Sequence, residues 1–315
     1  MPDTADPFAW PAEIAATARR IAPHVRITPC LDVSWERRRI GLKLEYLQES
    51  GTFKARGAFN RLLSAQVPPA GVAAASGGNH GIAVALAARR LNVPAHIFVP
   101  LITPQAKRDR LQALGADVHV GGAAYADALA ACNAFREATG ALESHAYDHP
   151  ATLAGQGTVA REWQYQAPDL DTVLVAVGGG GLIGGMAAWY QGQVKVIAVE
   201  TEGCPTLHEA LAAGRPVDVD VSGIAADSLG ARRVGSLMFP IAQRHIADSL
   251  LVCDEAVRQA QRWLWREARI AAEPGGATAF AALLSGAYRP GPDERVGVLV
   301  CGANLDPSLL AQDAS

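Results

Sequence analysis

Thr172-Val173-Leu174-Val175-Ala176-Val177-Gly178-Gly179-Gly180-Gly181-Leu182 contains no charged residue, and the uncharged run continues to Val194. Its first six residues are short, apolar and valine-rich, as in a strand buried on both faces. Four glycines then interrupt the run, which argues against one continuous membrane-crossing helix over 172–194. Strand, glycine turn and buried helix describe the segment better. The same alternation extends through most of the chain. Strands are predicted at 42–47, 72–75, 95–99, 117–120, 172–177, 194–200, 249–253 and 296–300. Helices are predicted at 56–65, 81–91, 105–114, 123–139, 153–166, 184–190, 254–270 and 276–288. Apolar strands separated by helices mean βαβ units, so the expected class is α/β with parallel sheets covered on both faces.

At 315 residues the chain is long enough for one large or two modest domains, and the segment around Tyr147-Asp148-His149-Pro150 suits a junction between two sheets. Half of the residues are hydrophobic, 19% are charged and the net charge is -3. No basic run interleaves with aromatics, so nucleic acid is not an expected partner, and no membrane association is expected. Cys30, Cys132, Cys204, Cys253 and Cys301 are scattered and never paired as C-x-x-C. That pattern suits neither a disulfide framework nor structural zinc, and it fits a reducing compartment. The N-terminus lacks the basic start and apolar stretch of a secretory signal, so a cytoplasmic location is expected.

In open α/β sheets ligands bind beyond the carboxyl ends of the strands, and four notable loops fall there. The first is Ser50-Gly51-Thr52-Phe53-Lys54-Ala55-Arg56-Gly57-Ala58, which sets Lys54 in an apolar turn between strand and helix. A desolvated lysine has a lowered pKa, and its amine can condense with a carbonyl; the plainer reading is a solvated surface lysine. Ser76-Gly77-Gly78-Asn79-His80-Gly81 presents backbone N–H groups for a carboxylate and a carboxamide for a ring oxygen. The plainer reading there is a helix cap. Gly178–Gly181 can cradle a phosphate at a helix start. Cys301 ends the last strand, either as apolar filler or as a neutral partner for a pyridine nitrogen.

The glycine loop also fits a dinucleotide fingerprint, Gly179-x-Gly181-x-x-Gly184, with Glu200 ending the next strand where a ribose-binding acid would stand. A nicotinamide enzyme would leave Lys54, Asn79 and Cys301 without a role. Agreement among independent loops favours pyridoxal 5'-phosphate, with the dinucleotide-dependent oxidoreductase as the competing class.

Thr52-Phe53-Lys54-Ala55-Arg56-Gly57-Ala58, Ser76–Gly81, Ala154-Gly155-Gln156-Gly157-Thr158, Gly178–Gly181, Glu273-Pro274 and Cys301-Gly302-Ala303-Asn304 resemble, in order, the motifs of the serine/threonine dehydratase family. That family belongs to the tryptophan-synthase-β-like fold of pyridoxal-phosphate enzymes. The resemblance covers about residues 20–307. It implies fold type II: two doubly wound, mostly parallel sheets. Residues 48–145 would form a small domain inserted into a large one made of 1–47 and 146–315. Lys54 would carry the cofactor and remove the substrate Cα proton, with Phe53 beside it. Asn79 would bond the ring hydroxyl, while Ser76, Gly77, Asn79 and His80 would line the substrate site. Gly178, Gly179, Gly180, Gly181 and Leu182 would cradle the phosphate, and Cys301 would face the ring nitrogen. The implied activity is an ammonia-lyase (β-elimination) reaction on L-threonine or L-serine, and the implied assembly is a homodimer. Phenylserine and 3-hydroxyaspartate are alternative substrates.

Departures from the family pattern carry expectations of their own. Relatives that racemise serine look to use a serine where this chain has Gly77, which implies at most a weak serine racemase side activity. Relatives with a divalent metal pair a glutamate, matched by Glu200, with an acid six residues on. Here that position is Thr206, so no metal is expected. Ser228 stands where relatives often have glycine and is expected to narrow the pocket. Arg232 and Arg233 are candidates for a second substrate carboxylate, against the commoner surface role. No regulatory domain of the isoleucine-pathway kind is expected after the last motif.

Overall fold

The valine-rich β7 (Thr172–Ala176) is buried along its whole length, between β10 (Val296–Leu299) and β8 (Lys195–Thr201). This is the position that its uninterrupted apolar sequence requires. The structure, a computed structural model, describes residues 9–305. The remaining strands are β1 (Cys30–Trp35), β2 (Arg38–Lys43), β3 (Val72–Ala75), β4 (Ala95–Val99), β5 (Asp117–Val120), β6 (Leu142–Glu143) and β9 (Ile246–Val252). They form a six-stranded sheet in the order β1-β2-β10-β7-β8-β9 and a four-stranded sheet in the order β5-β4-β3-β6. All pairings are parallel except β1 with β2. The class is α/β with two mostly parallel sheets, as expected.

Three local expectations are corrected. The strand predicted at 42–47 is Arg38–Lys43, followed by a single 3-10 turn at Glu45–Leu47. β10 fixes this register by pairing Val296 with Ile40 and Leu299 with Lys43. Arg38 and Arg39 belong to the strand because it lies second from the edge, so their side chains reach solvent while Ile40 and Leu42 are buried. The helix predicted from Arg56 begins at Lys54, so the lysine sits in the first helical turn instead of a preceding loop. β9 likewise starts earlier than predicted, at Ile246.

One core surrounds β7, β8 and β10 and is closed by the helices Pro150–Gln166, Gly181–Tyr190 and Pro274–Leu284. A second core lies between β3, β4 and the helices Lys54–Leu63 and Asn79–Arg90. The first core depends on a close helix crossing: a Cβ on Gly157 would lie 2.7 Å from the Gly185 carbonyl oxygen. Only glycine permits that approach. Among the described residues, no helix is long and apolar enough to cross a membrane.

Candidate active site

The lysine turn is stitched to the end of β10. Tyr46 N–H donates to the Val300 carbonyl at 3.1 Å, Phe53 N–H to the Cys301 carbonyl at 3.1 Å, and Ala303 N–H to the Gly51 carbonyl at 3.0 Å. Thr52 and Gly302 form an isolated antiparallel bridge. These bonds bring together two motifs about 250 residues apart in sequence. Lys54 Nζ then donates to the Ala146 carbonyl at 2.9 Å and stands 5.2 Å from the Phe53 ring centre. Burial lowers its pKa to about 8, opposed by the nearby Cys301 and Glu273. Its place in the first turn of a helix also disfavours the cation.

A cleft of about 500 Å³ opens beside this amine. Lys54, Ser76, Gly77, Asn79, His80 and Gly179 all line it, so the cleft gathers three of the four loops singled out in the sequence. Lys107, Tyr147 and the segment Ala226–Ala231 supply other walls. Across the mouth, Lys107 Nζ lies 2.5 and 2.7 Å from the two carboxylate oxygens of Asp227.

Asn79 is gripped on both sides. Its Nδ2 donates to Glu273 Oε1 at 2.6 Å, and its Oδ1 accepts from Asn304 Nδ2 at 2.7 Å. One Nδ2 hydrogen remains for another acceptor. Glu273 also accepts from the Asn304 backbone at 3.0 Å, and burial raises its pKa to about 7. His80 Nε2 lies 2.6 Å from the Ser144 carbonyl oxygen. A carbonyl only accepts, so that nitrogen carries the hydrogen. Burial, and then the Lys54 charge, drives the His80 pKa down to about 3, leaving a neutral ring. Ser76 Oγ accepts from the Gly78 amide at 3.3 Å. The amides of Gly77, Asn79 and His80 donate to no acceptor among the described residues.

Gly178, Gly180, Gly181 and Leu182 lie behind the cleft wall, at the start of the helix Gly181–Tyr190. Gly180 has φ +86°, a conformation glycine adopts without steric cost. Tyr147, which the sequence reading did not single out, packs on this loop so closely that a Cβ on Gly179 would fall 2.2 Å from its ring. The amides of Gly179, Gly180, Gly181 and Leu182 donate to no acceptor among the described residues. Convergent free amides at a helix start suit an anion such as a phosphate. Cys301 is buried, with its Sγ 3.4 Å from the Gly275 carbonyl. Burial, reinforced by Glu273, pushes its pKa up, so the thiol stays neutral. An amine with a lowered pKa, free loop amides and a neutral buried thiol are a donor set that fits pyridoxal phosphate.

Several alternatives lose their structural basis. The Glu200 carboxylate accepts from the Leu207 and His208 amides, both at 2.7 Å, capping the helix Thr206–Ala213. It is completely buried and holds no position open to a ribose or a hard cation. Arg232 and Arg233 are exposed, pair with Asp220 and Asp218, and lie outside the cleft lining. Ser228 does line the cleft, where its Oγ accepts from the Gly275 amide at 3.1 Å.

The chain is similar to the L-threonine ammonia-lyase of Thermotoga maritima, 36% identical over 86% of this chain and 68% of that protein. It is similar to the phenylserine dehydratase of Ralstonia pickettii, 35% identical over 95% of this chain and 94% of that one. It spans only about half the length of the biosynthetic L-threonine dehydratases it matches. Among solved structures, maize serine racemase superposes with a TM-score of 0.91 at 31% identity, covering 96% of this chain and 95% of that chain. Residues 21–302 match the family described as pyridoxal-phosphate dependent enzyme, and the chain belongs to this family.

Proposed function

We propose that this protein removes the β-hydroxyl and the amino group of L-threonine or L-serine, releasing a 2-oxo acid and ammonia. The observation that carries the reading is the Lys54 amine, held in the cleft with its pKa lowered to about 8. Pyridoxal phosphate, when bound, supplies the electron sink for charge developing at the substrate Cα. The protein's own groups do the rest. Lys54 would hold the cofactor and, as a neutral amine, take the Cα proton. The free amides of Gly77, Asn79 and His80 would orient the substrate carboxylate, beside Ser76. Phe53 would flank the cofactor, and the remaining Asn79 N–H would bond its ring hydroxyl. Gly178, Gly179, Gly180, Gly181 and Leu182 would take its phosphate. The neutral Cys301 thiol would leave the ring nitrogen unprotonated, which favours prompt loss of a β-substituent over return of the proton.

Elimination is favoured over racemisation by what faces Lys54. Gly77 offers no acid or base, and a Cβ there would lie 2.8 Å from Thr103 Cγ2. The Thr103 hydroxyl is 3.3 Å from the same point, so chiral analysis of recovered serine belongs in the assay. Phenylserine is a second reading, supported by the relative of that name and by Ile102 and Tyr125 in the cleft wall. A 2-oxo acid assay across L-threonine, L-serine, phenylserine and 3-hydroxyaspartate tests both. Oxo acid from threonine or serine at the highest kcat/KM supports the first reading, and none from either overturns it.

The same reading divides the chain into residues 48–145, which hold the four-stranded sheet, and 1–47 with 146–315, which hold the six-stranded one. Five unpaired thiols support a reducing compartment such as the cytoplasm. The homodimer that the family resemblance implies is tested by light scattering.

A further inference from the structure

The geometry points to a second, separate site: we propose that His96, Asp117 and His119 bind a zinc-like divalent transition-metal ion on the outer face of the four-stranded sheet. β4 and β5 run parallel with His96 opposite Asp117 and Phe98 opposite His119, and β5 is the edge strand. Alternation along β5 puts Asp117 and His119 on one face, and the register puts His96 beside them.

The donor atoms form a nearly equilateral triangle. His96 Nδ1 lies 3.3 Å from His119 Nε2 and 3.4 Å from Asp117 Oδ2, and His119 Nε2 lies 3.2 Å from the same oxygen. In a tetrahedral zinc site with bonds of about 2.0–2.1 Å, neighbouring donor atoms are separated by about 3.3–3.4 Å. The three atoms therefore match one face of that tetrahedron. Hydrogen bonding alone accounts for this triangle poorly. Each edge needs its own hydrogen, and two neutral imidazoles with one N–H each supply at most two. Supplying both means protonating both facing nitrogens, which sets two donors against each other 3.3 Å apart and leaves that edge without a bond.

The rings are held by aromatic neighbours as well as by each other. Phe98 stacks on His119 at 4.4 Å with an interplanar angle of 8°, and Phe135 packs on His96 at 4.5 Å. The ligands are thus ordered before an ion arrives. The side chains of His96, His119 and Asp117 are 19%, 35% and 64% exposed, so an ion can enter and its fourth position faces water. Two imidazoles and one carboxylate suit zinc, copper or nickel better than magnesium or calcium, and the tetrahedral edge selects zinc among them. None of the three residues lines the cleft beside Lys54. The ion would cross-link the edge strand β5 to β4.

The test is zinc titration of chelator-treated, thiol-blocked holoenzyme, read by calorimetry and by metal analysis after gel filtration. Blocking thiols removes the exposed Cys30 and Cys253 as competing ligands. The wild type is expected to retain one zinc per chain. His96→Ala and His119→Ala should each weaken binding by more than the roughly 10–100-fold that loss of an outer-shell partner costs. His119→Gln, a milder change, must also lose zinc while its circular dichroism stays that of the wild type. Cobalt loaded in place of zinc should give the intense visible bands of a four-coordinate ion. No uptake by the wild type, equal uptake by the variants, or uptake of copper without zinc would each overturn the assignment.

Discussion

Arg56 grips Glu45 with two parallel hydrogen bonds, Nε to Oε2 at 2.9 Å and Nη2 to Oε1 at 2.7 Å, two residues beyond Lys54. The same Nη2 reaches Glu162 at 2.9 Å, and Glu162 in turn accepts from Lys43 at 2.6 Å. Two cations and two anions thus balance beneath the first turn of the lysine helix, with Arg56 and Glu45 both fully enclosed. Removing one member strands a buried charge. Arg56→Met is expected to lower stability by about 3–5 kcal/mol, while Arg56→Met with Glu45→Leu should recover most of the loss. Urea unfolding monitored by fluorescence decides it; a loss below about 1 kcal/mol for the single variant would contradict the account.

Lys54 has its pKa lowered from 10.5 to about 8, which leaves roughly 300-fold more neutral amine at pH 7 than an ordinary lysine carries. Capture of pyridoxal phosphate by the apoenzyme should therefore accelerate about tenfold per pH unit only up to about pH 8 and then level off. Stopped-flow absorbance measures the profile. A rate still climbing at pH 10 would show a lysine with ordinary solvation.

The cleft was legible because its parts sit on loops with strong local signatures. Parallel strands place their carboxyl ends together, so Lys54, Asn79 and Gly179 could be predicted to converge without any knowledge of side-chain packing. What the sequence concealed is of two kinds. Partners that meet only through the fold, such as Glu273 with Asn79 and Tyr147 with Gly179, are 194 and 32 residues apart and carry no spacing signal. Local chemistry can also mislead. The β1–β2 hairpin turns through Glu36 and Arg37 at φ 47° and 61°, positions where Asn-Gly would ordinarily announce a two-residue turn. Arg38 and Arg39 hid the start of the strand that follows.

Glu273 raises a question of pH. Burial raises its folded pKa from 4.5 to about 7, so the folded protein holds a proton that the unfolded chain releases. The favourable contribution is complete below about pH 4.5 and is lost as pH rises through about 7. Glu200, also raised to about 7 by burial, acts in the same window. Glu273→Gln should remove one of these two slopes, at most about 1.4 kcal/mol per pH unit. Denaturation of the apoenzyme across that range would register the change. An unaltered slope would mean that Glu273 keeps an ordinary pKa in the fold.

Gly181 tests the cost to the site, and Gly180 and Gly192 set the cost of a strained backbone. Their φ values are +86° and +84°, so an alanine at either meets the same left-handed penalty, about 1–2 kcal/mol. A Cβ at Gly192 has nothing within 4 Å, whereas one at Gly180 meets only the flexible end of Met238, at 2.6 Å. Gly181 is different: its Cβ would press on the Tyr147 backbone, 2.9 Å from Cα and 3.1 Å from the carbonyl oxygen. Tyr147 cannot yield there without moving the glycine loop, whose free amides are proposed to take the phosphate. Gly192→Ala should therefore lose stability and keep its affinity for pyridoxal phosphate. Gly181→Ala should lose at least about tenfold in affinity, equivalent to about 1.4 kcal/mol. Equilibrium binding followed by cofactor absorbance compares them, and equal affinity in the two variants would remove the glycine loop from the cofactor site.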